Sequence, residues 1–284
     1  MLTRRYGDLL LYNYVYEVGG DEQFSALTIE INKKLVYVSF EGTDQMISGW
    51  KEDFMLSYKF PVLAQRKAID YLNKNFLFRR KEIIVGGHSK GGNLAMVSAM
   101  YCNFLVRDRI RQVYNNDGPG LLLEQLDSKY YKYVEKKLIH IIPNYSIFGL
   151  LLRNSGNYTV IRSARKGLFA HDLSSWVVED RLFVRAELSA FSKKLDDGLV
   201  NWMIKYDKRE REKFVLSLFE IFDKAGIVSL VDIMENKKLV FHLISVSKDM
   251  DKETKIIVRD LFVFLFKCFK DVKREEFLSF FDKN

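Results

Sequence analysis

Two glycines bracket a serine in Gly87-His88-Ser89-Lys90-Gly91, and the residues around that pentapeptide limit the fold more than any other stretch of the chain. Ile83-Ile84-Val85 before it is a β-branched strand pattern, and Asn93-Leu94-Ala95-Met96-Val97-Ser98-Ala99 after it is a helical one. A strand that becomes a helix within five residues must turn so tightly that the flanking positions tolerate no Cβ, which glycine satisfies. With 16 glycines in 284 residues, chance supplies roughly 0.06 G-x-S-x-G matches, before a strand and a helix are demanded around them. A serine at the tip of such a turn projects outward, with a helix N-terminus behind it to stabilise a developing negative charge. The plainer reading is a glycine-rich turn that binds phosphate or nothing.

The rest of the chain supplies the sheet that this turn requires. Up to about residue 180, short β-branched and aromatic runs alternate with helical patterns. Phe24 to Ile31, Leu35 to Phe40, Glu82 to Gly86, Gln112 to Asn116, Lys137 to Ile142 and Tyr158 to Ser163 read as strands. The first two flank Asn32-Lys33-Lys34 as a hairpin, and helix-length segments separate the later ones, as parallel strands require. Val62 to Phe76 is one such helix, with Ala64, Ala68, Ile69, Leu72 and Phe76 on one stripe. The expected fold class is therefore α/β, with a mixed, mostly parallel sheet flanked by helices.

Beyond residue 180 the period is helical. Phe214, Leu218 and Phe222 recur before a stop at Lys224-Ala225-Gly226, Ser229 with Asp232 resembles a capping box, and Ile257, Leu261, Phe264 and Cys268 mark a further helix. The division is a core of residues 1–180 and a helical C-terminal region of residues 181–284, packed on or beside it.

Gly86-Gly87-His88-Ser89-Lys90-Gly91-Gly92-Asn93-Leu94-Ala95 resembles the elbow of the class 3 (fungal-type triacylglycerol) lipases, whose usual form is GHSLGGALA. An uncharacterised bacterial family of lipase-like α/β-hydrolases is closer still, sharing the lysine after the serine and a later His-Asp-x-x-x-Trp. The resemblance covers about residues 20 to 180 and implies an α/β-hydrolase fold and ester hydrolysis by a serine nucleophile. It extends to Val38-Ser39-Phe40-Glu41-Gly42-Thr43-Asp44 with Trp50 and Asp53. In the class 3 lipases the residue after this glycine gives a backbone N–H and a hydroxyl to the oxyanion hole, a role that maps onto Thr43; those lipases usually carry Arg in place of Glu41. A loop leaving the end of that strand lies beside the elbow, and acyl transfer needs a second donor, the N–H of Lys90.

Four histidines compete for the general base, and in α/β-hydrolases the order runs serine, acid, histidine. His171, just beyond the strand Tyr158 to Ser163 in a loop able to reach Ser89, fits that order. His88 lies inside the elbow, His140 in a strand and His242 in a helix, where structural roles are expected. The acid is harder to place. The class 3 position, near Pro143-Asn144-Tyr145-Ser146, is empty, since no Asp or Glu occurs between Glu135 and Asp172. Asp117, in Asn115-Asn116-Asp117-Gly118-Pro119-Gly120 after the preceding strand, is the candidate, and a turn aspartate before Gly-Pro is the alternative.

The net charge of +8 is spread: 24 basic and 19 acidic residues up to residue 180, then 21 and 18. No basic tail or nucleic-acid docking motif accompanies it, so no nucleic-acid partner is expected. Cys102 and Cys268 lie in apolar helical patterns as reduced core residues, and Met1-Leu2-Thr3-Arg4-Arg5 leads into no apolar leader core, so the expected location is cytoplasmic. Gln45-Met46-Ile47-Ser48-Gly49-Trp50 reads either as a lid or as a packed loop. Taken together, the expectation is a cytoplasmic serine esterase with a Ser89, His171 and Asp117 triad, Thr43 and Lys90 at the oxyanion, a small-molecule or lipid ester as substrate, and no metal or organic cofactor. Contact with a membrane surface and the oligomeric state are left open. The alternatives are an acyltransferase or thioesterase using the same triad, and a catalytically silent hydrolase-fold binding or scaffold module.

Overall fold

The computed structural model describes residues 6–19, 22–43, 47–226 and 251–270. Three antiparallel strands open the chain: β1 (Leu10–Gly19), β2 (Glu22–Asn32) and β3 (Leu35–Phe40). The side-chain oxygen of Asn32 accepts the N–H groups of Lys34 and Leu35 at 2.9 and 3.0 Å, closing the expected hairpin with an Asx turn. Helices α1 (Ile47–Met55) and α2 (Leu63–Phe76) then cross to β4 (Glu82–His88), which pairs parallel to β3. Helices α3 (Lys90–Tyr101) and α4 (Phe104–Arg107) lead to β5 (Ile110–Asn116); α5 (Leu123–Leu126) and α6 (Lys129–Glu135) lead to β6 (Leu138–Pro143), and β7 (Tyr158–Ile161) completes the parallel set.

The seven strands lie side by side in chain order. Right-handed crossovers between strands added always in one direction place their helices on the same face. The core agrees: Val36, Val38 and Phe40 of β3 and Ile83 and Val85 of β4 are buried against Ala68, Leu72 and Phe76 of α2 and Leu94 and Val97 of α3. Each fully buried aliphatic or aromatic side chain there contributes about 1.5–3 kcal/mol. On the opposite face, a two-stranded hairpin, β8 (Val178–Glu179) with β9 (Leu182–Phe183), carries Trp176 and Phe183 over Ile141 and Ile161.

The chain still bridges to the sheet at Arg185, opposite Ile161, before helices take over with α7 (Ala190–Lys205) and α8 (Lys208–Lys224), followed by α9 (Lys252–Lys270). Gly226, at φ 65°, follows α8 as the sequence stop predicts. Phe214, Val215 and Phe219 pack with Trp50, Phe54 and Tyr58, so the helical region closes directly onto α1. Residues 47–50 form the first turn of α1, whereas Gln45, Met46, the Ser229–Asp232 capping box and His242 lie outside the described residues. Among the described residues, no helix is long and apolar enough to cross a membrane.

Candidate functional site

Ser89 sits where β4 turns into α3, with φ 57° and ψ −134°, a strained region for a residue bearing a Cβ. The turn holds because its flanks are bare. A Cβ on Gly91 would lie 2.1 Å from the carbonyl oxygen of Phe40, and one on Gly42 would lie 3.0 Å from Ser89 Cβ. The end of β3 therefore touches the start of α3, and the loop after β3 runs past Ser89. The N–H of Ser89 continues the β4–β5 ladder by donating to the Asn116 carbonyl at 3.0 Å, which seats the serine beside the residue preceding Asp117.

Asp117 follows β5 at φ 51°, in a turn closed by the Gly118 N–H donating to the Asn115 side-chain oxygen at 2.8 Å. Its carboxylate is inaccessible to solvent, and both oxygens are satisfied. Oδ2 accepts from His171 Nδ1 at 2.7 Å; Oδ1 accepts from the Ser146 hydroxyl and from the Gly149 N–H at 3.1 Å. A carboxylate only accepts, so Nδ1 carries the proton and Nε2 keeps a free lone pair. His171 ends a 3-10 turn, Gly167–His171, rather than lying in an open loop. Its ring lies between those of Phe148 and His88, each with its centroid 4.2 Å away. His88 Nε2 in turn hydrogen-bonds the carbonyl of His171 at 2.8 Å. Burial, followed by the neighbouring His171, lowers the pKa of His88 to about 4, so His88 is a neutral spacer. His140 lies buried in β6 and is likewise lowered to about 4 by burial.

The other side of Ser89 is built by α1. Thr43 donates its hydroxyl to Asp53 Oδ2 at 2.6 Å. Lys90, the first residue of α3, has a backbone N–H with no intrahelical partner, and its side chain runs inward to Glu52. The pKa of Asp53 is raised to about 6, chiefly by burial, against the pull of Lys90 and of the Thr43 hydroxyl.

Beyond Ser89 and Asp53 opens an apolar cavity of about 120 Å³, walled by Trp50 and Phe54 of α1, Phe148 and Leu152, and Trp202 and Phe214 of the helical region. Of the basic residues between Glu135 and Asp172, Arg162 pairs with Glu179 and Arg165 with Asp172, and neither lines the cavity. Among the described residues, no group of three or more His, Cys, Asp or Glu side chains is arranged to hold a metal ion.

The five residues picked out in the sequence thus gather at one end of the sheet, in two groups either side of Ser89. Ser146, Gly149 and His88, which hold the acid and the histidine, and Glu52, which holds Lys90, were not among them. The loop after β6, where class 3 lipases carry their acid, contributes Ser146 to Asp117 instead.

A serine elbow on a mixed, mostly parallel sheet is the α/β-hydrolase fold that the sequence suggested. Among solved structures, the chain resembles a fungal lipase in an inhibitor complex, at 16% identity and TM-score 0.38 over 55% of this chain and 66% of that one, just under two thirds. M37 lipase is similar at 15% identity and TM-score 0.42, over 71% of this chain and 69% of that one. No curated protein matches the sequence. The pattern of the lipase-like Mbeg1-like family matches residues 1–220, well over half of the chain, and the chain belongs to that family.

Proposed function

We propose that this protein is a serine hydrolase of carboxylic esters that works through an acyl-enzyme on Ser89. The observation that carries the reading is the bond from His171 Nδ1 to the solvent-inaccessible carboxylate of Asp117, set beside a serine in a strained elbow. With Nδ1–H committed to Asp117, Nε2 is left as the base. Ser89 Oγ attacks the ester carbonyl carbon while His171 takes its proton. The carbonyl oxygen becomes an oxyanion received by the Lys90 N–H and by Thr43, and collapse expels the alcohol, protonated by His171. Water activated by the same histidine then attacks the acyl-enzyme, releasing the carboxylic acid and free Ser89.

The apolar cavity beside Ser89 supports a small-molecule or lipid ester with a hydrocarbon acyl group. An engineered cavity of about 150 Å³ accommodates benzene, so about 120 Å³ suits an acyl group of about four to six carbons. Acyl transfer and thioester hydrolysis would proceed through the same intermediate. Against the silent-scaffold alternative stands the 2.7 Å bond from His171 Nδ1 to Asp117, which offers an acid although the class 3 position is empty. Cytoplasmic residence belongs to the same reading, supported by Cys102, a free thiol in the core.

A fluorophosphonate probe tests the assignment. It should label the wild type and spare Ser89→Ala; equal labelling of both, or of neither, would return the chain to a scaffold role.

A further inference from the structure

Helix α1 meets the site with two adjacent carboxylates that do different things. Trp50, Asp53, Phe54 and Ser57 recur at i, i+3, i+4 and i+7, and all four line the cavity. Glu52 lies one residue off that stripe and turns inward, with Leu56 beneath it at 3% exposure. There Glu52 Oε2 accepts from Lys90 Nζ at 3.1 Å, and Oε1 accepts the N–H of Ala64, in the first turn of α2, at 2.8 Å. Lys90 Nζ also donates to the Gln23 carbonyl of β2 at 3.1 Å. The ammonium and the carboxylate are 1% and 2% exposed.

We propose that Glu52 is a positioning residue for the oxyanion site, acting through the side chain of Lys90. The inference rests on the hydrolase reading, since the group that Glu52 positions is the Lys90 N–H. A lysine held at two acceptors has few rotamers left, and its first side-chain bonds share a Cα with the peptide whose N–H must point at the developing charge. Asp53 does the equivalent for the opposite donor by accepting the Thr43 hydroxyl. One helix thus sets both donors, and the same helix forms a wall of the acyl cavity.

Stability alone is a weak reason for a buried ion pair. Burying two charges carries a desolvation cost before they attract, and well-packed apolar replacements of a buried pair are often neutral or stabilising. The ion pair holds the elbow against α1 in one direction and at one distance, which non-directional apolar packing does not do.

The decisive comparison is wild type against the double variant Lys90→Met/Glu52→Met, with p-nitrophenyl butyrate as substrate. Both charges leave together, so no orphan ion remains; the Ala64 N–H and the Gln23 carbonyl lose their partners, so the melting temperature should fall by about 5–10 °C with the fold kept. A positioning role predicts a kcat lower by about 10- to 100-fold, short of or equal to the loss from deleting an oxyanion donor, with KM within about twofold. Fluorophosphonate labelling of Ser89 should still reach completion, only more slowly. A double variant with wild-type kcat, or one that changes KM alone, overturns the proposal. If the double variant fails to fold, Glu52→Asp decides: it keeps the charge but withdraws it by one methylene, and should lower kcat about tenfold at unchanged KM, an unchanged kcat being the overturning result. A wild type that neither turns over nor labels removes the hydrolase reading itself and the proposal with it, an outcome distinct from a fast double variant.

Discussion

Two carboxylates flank Ser89, and they live under opposite regimes. Asp117 is fully buried and fully satisfied, with a ring N–H, a hydroxyl and a backbone N–H converging on its two oxygens. Asp53 accepts one hydroxyl at Oδ2, while its Oδ1 is buried without a partner among the described residues. Hydrogen bonds to the charged form favour ionisation, and burial without them opposes it. The Asp117 side is a finished polar network that fixes a tautomer. The Asp53 side holds a charge the fold only partly compensates.

The sharpest way to break the comparison is Asp117→Asn. The amide can donate to Nδ1 and select the tautomer that places the proton on Nε2, where a base is needed. In a serine protease that exchange lowers kcat about ten-thousandfold, and a loss of similar order is expected here with an unchanged melting temperature. A loss below about tenfold in ester turnover would show that the rings of Phe148 and His88 hold His171 in place without the charge.

How much of this the sequence revealed follows the same divide. Ser89, Asp117 and His171 each stand at the end of a parallel strand or just past one; β3 is legible because its buried residues alternate, as Val36, Val38 and Phe40 do, and β6 because it is a continuous apolar run buried from His140 to Pro143. Helix α3 has no such stripe, since it is buried on every side from Lys90 to Met100; position after a glycine turn, not period, reveals it. Strand β1 is not legible because it barely alternates: Leu10 and Leu11 are both exposed, its register with β2 shifts between Tyr12 and Val15, and Asn13 sits at φ 55°. Ser146 and Gly149 serve Asp117 through a hydroxyl and a peptide N–H, groups too common to signal a role. Glu52 pairs with a lysine 38 residues away, and nothing local in either segment announces the other.

On the α1 side, Thr43→Ala tests whether the partly satisfied half acts in the chemistry. Removing one oxyanion donor typically costs about 10²–10³ in kcat; Thr43→Ala spares the N–H and removes only the hydroxyl by which Asp53 holds the residue, so a smaller loss of about 10- to 100-fold is expected with KM little changed. Unchanged turnover would leave the Thr43–Asp53 bond as loop structure.

The cavity wall gives a smaller effect. Trp202→Ala should lengthen the chain accepted, because each further buried methylene is worth about 0.8 kcal/mol. Over two or three methylenes accommodated in part, the ratio of kcat/KM for p-nitrophenyl octanoate to that for the butyrate should rise about tenfold. A ratio that stays constant would place the acyl group outside this cavity and make the helical region a cover alone.

The smallest effect is also the most direct measure of how the two carboxylates differ. Burial raises the pKa of Asp53 from its ordinary 3.8 to about 6, so the folded state binds a proton more tightly than the unfolded state does. Stability is therefore greatest below the unfolded value and declines as pH rises through the folded one, levelling off once the group is ionised in both states. Asp53→Asn removes the charge and keeps an acceptor for the Thr43 hydroxyl, so it should gain on the wild type as pH rises from about 4 to about 7 and hold a constant lead above that, visible as a few degrees in melting temperature. The neighbouring Lys90 works against this, since its attraction to Asp53 is lost in the variant. Thermal melts at pH 5 and pH 8 separate the two forces. A lead that grows with pH means desolvation dominates, as the structure indicates; a variant that falls further behind at pH 8 means that Lys90 more than offsets the burial of Asp53, and the α1 side would then be as well compensated as the Asp117 side.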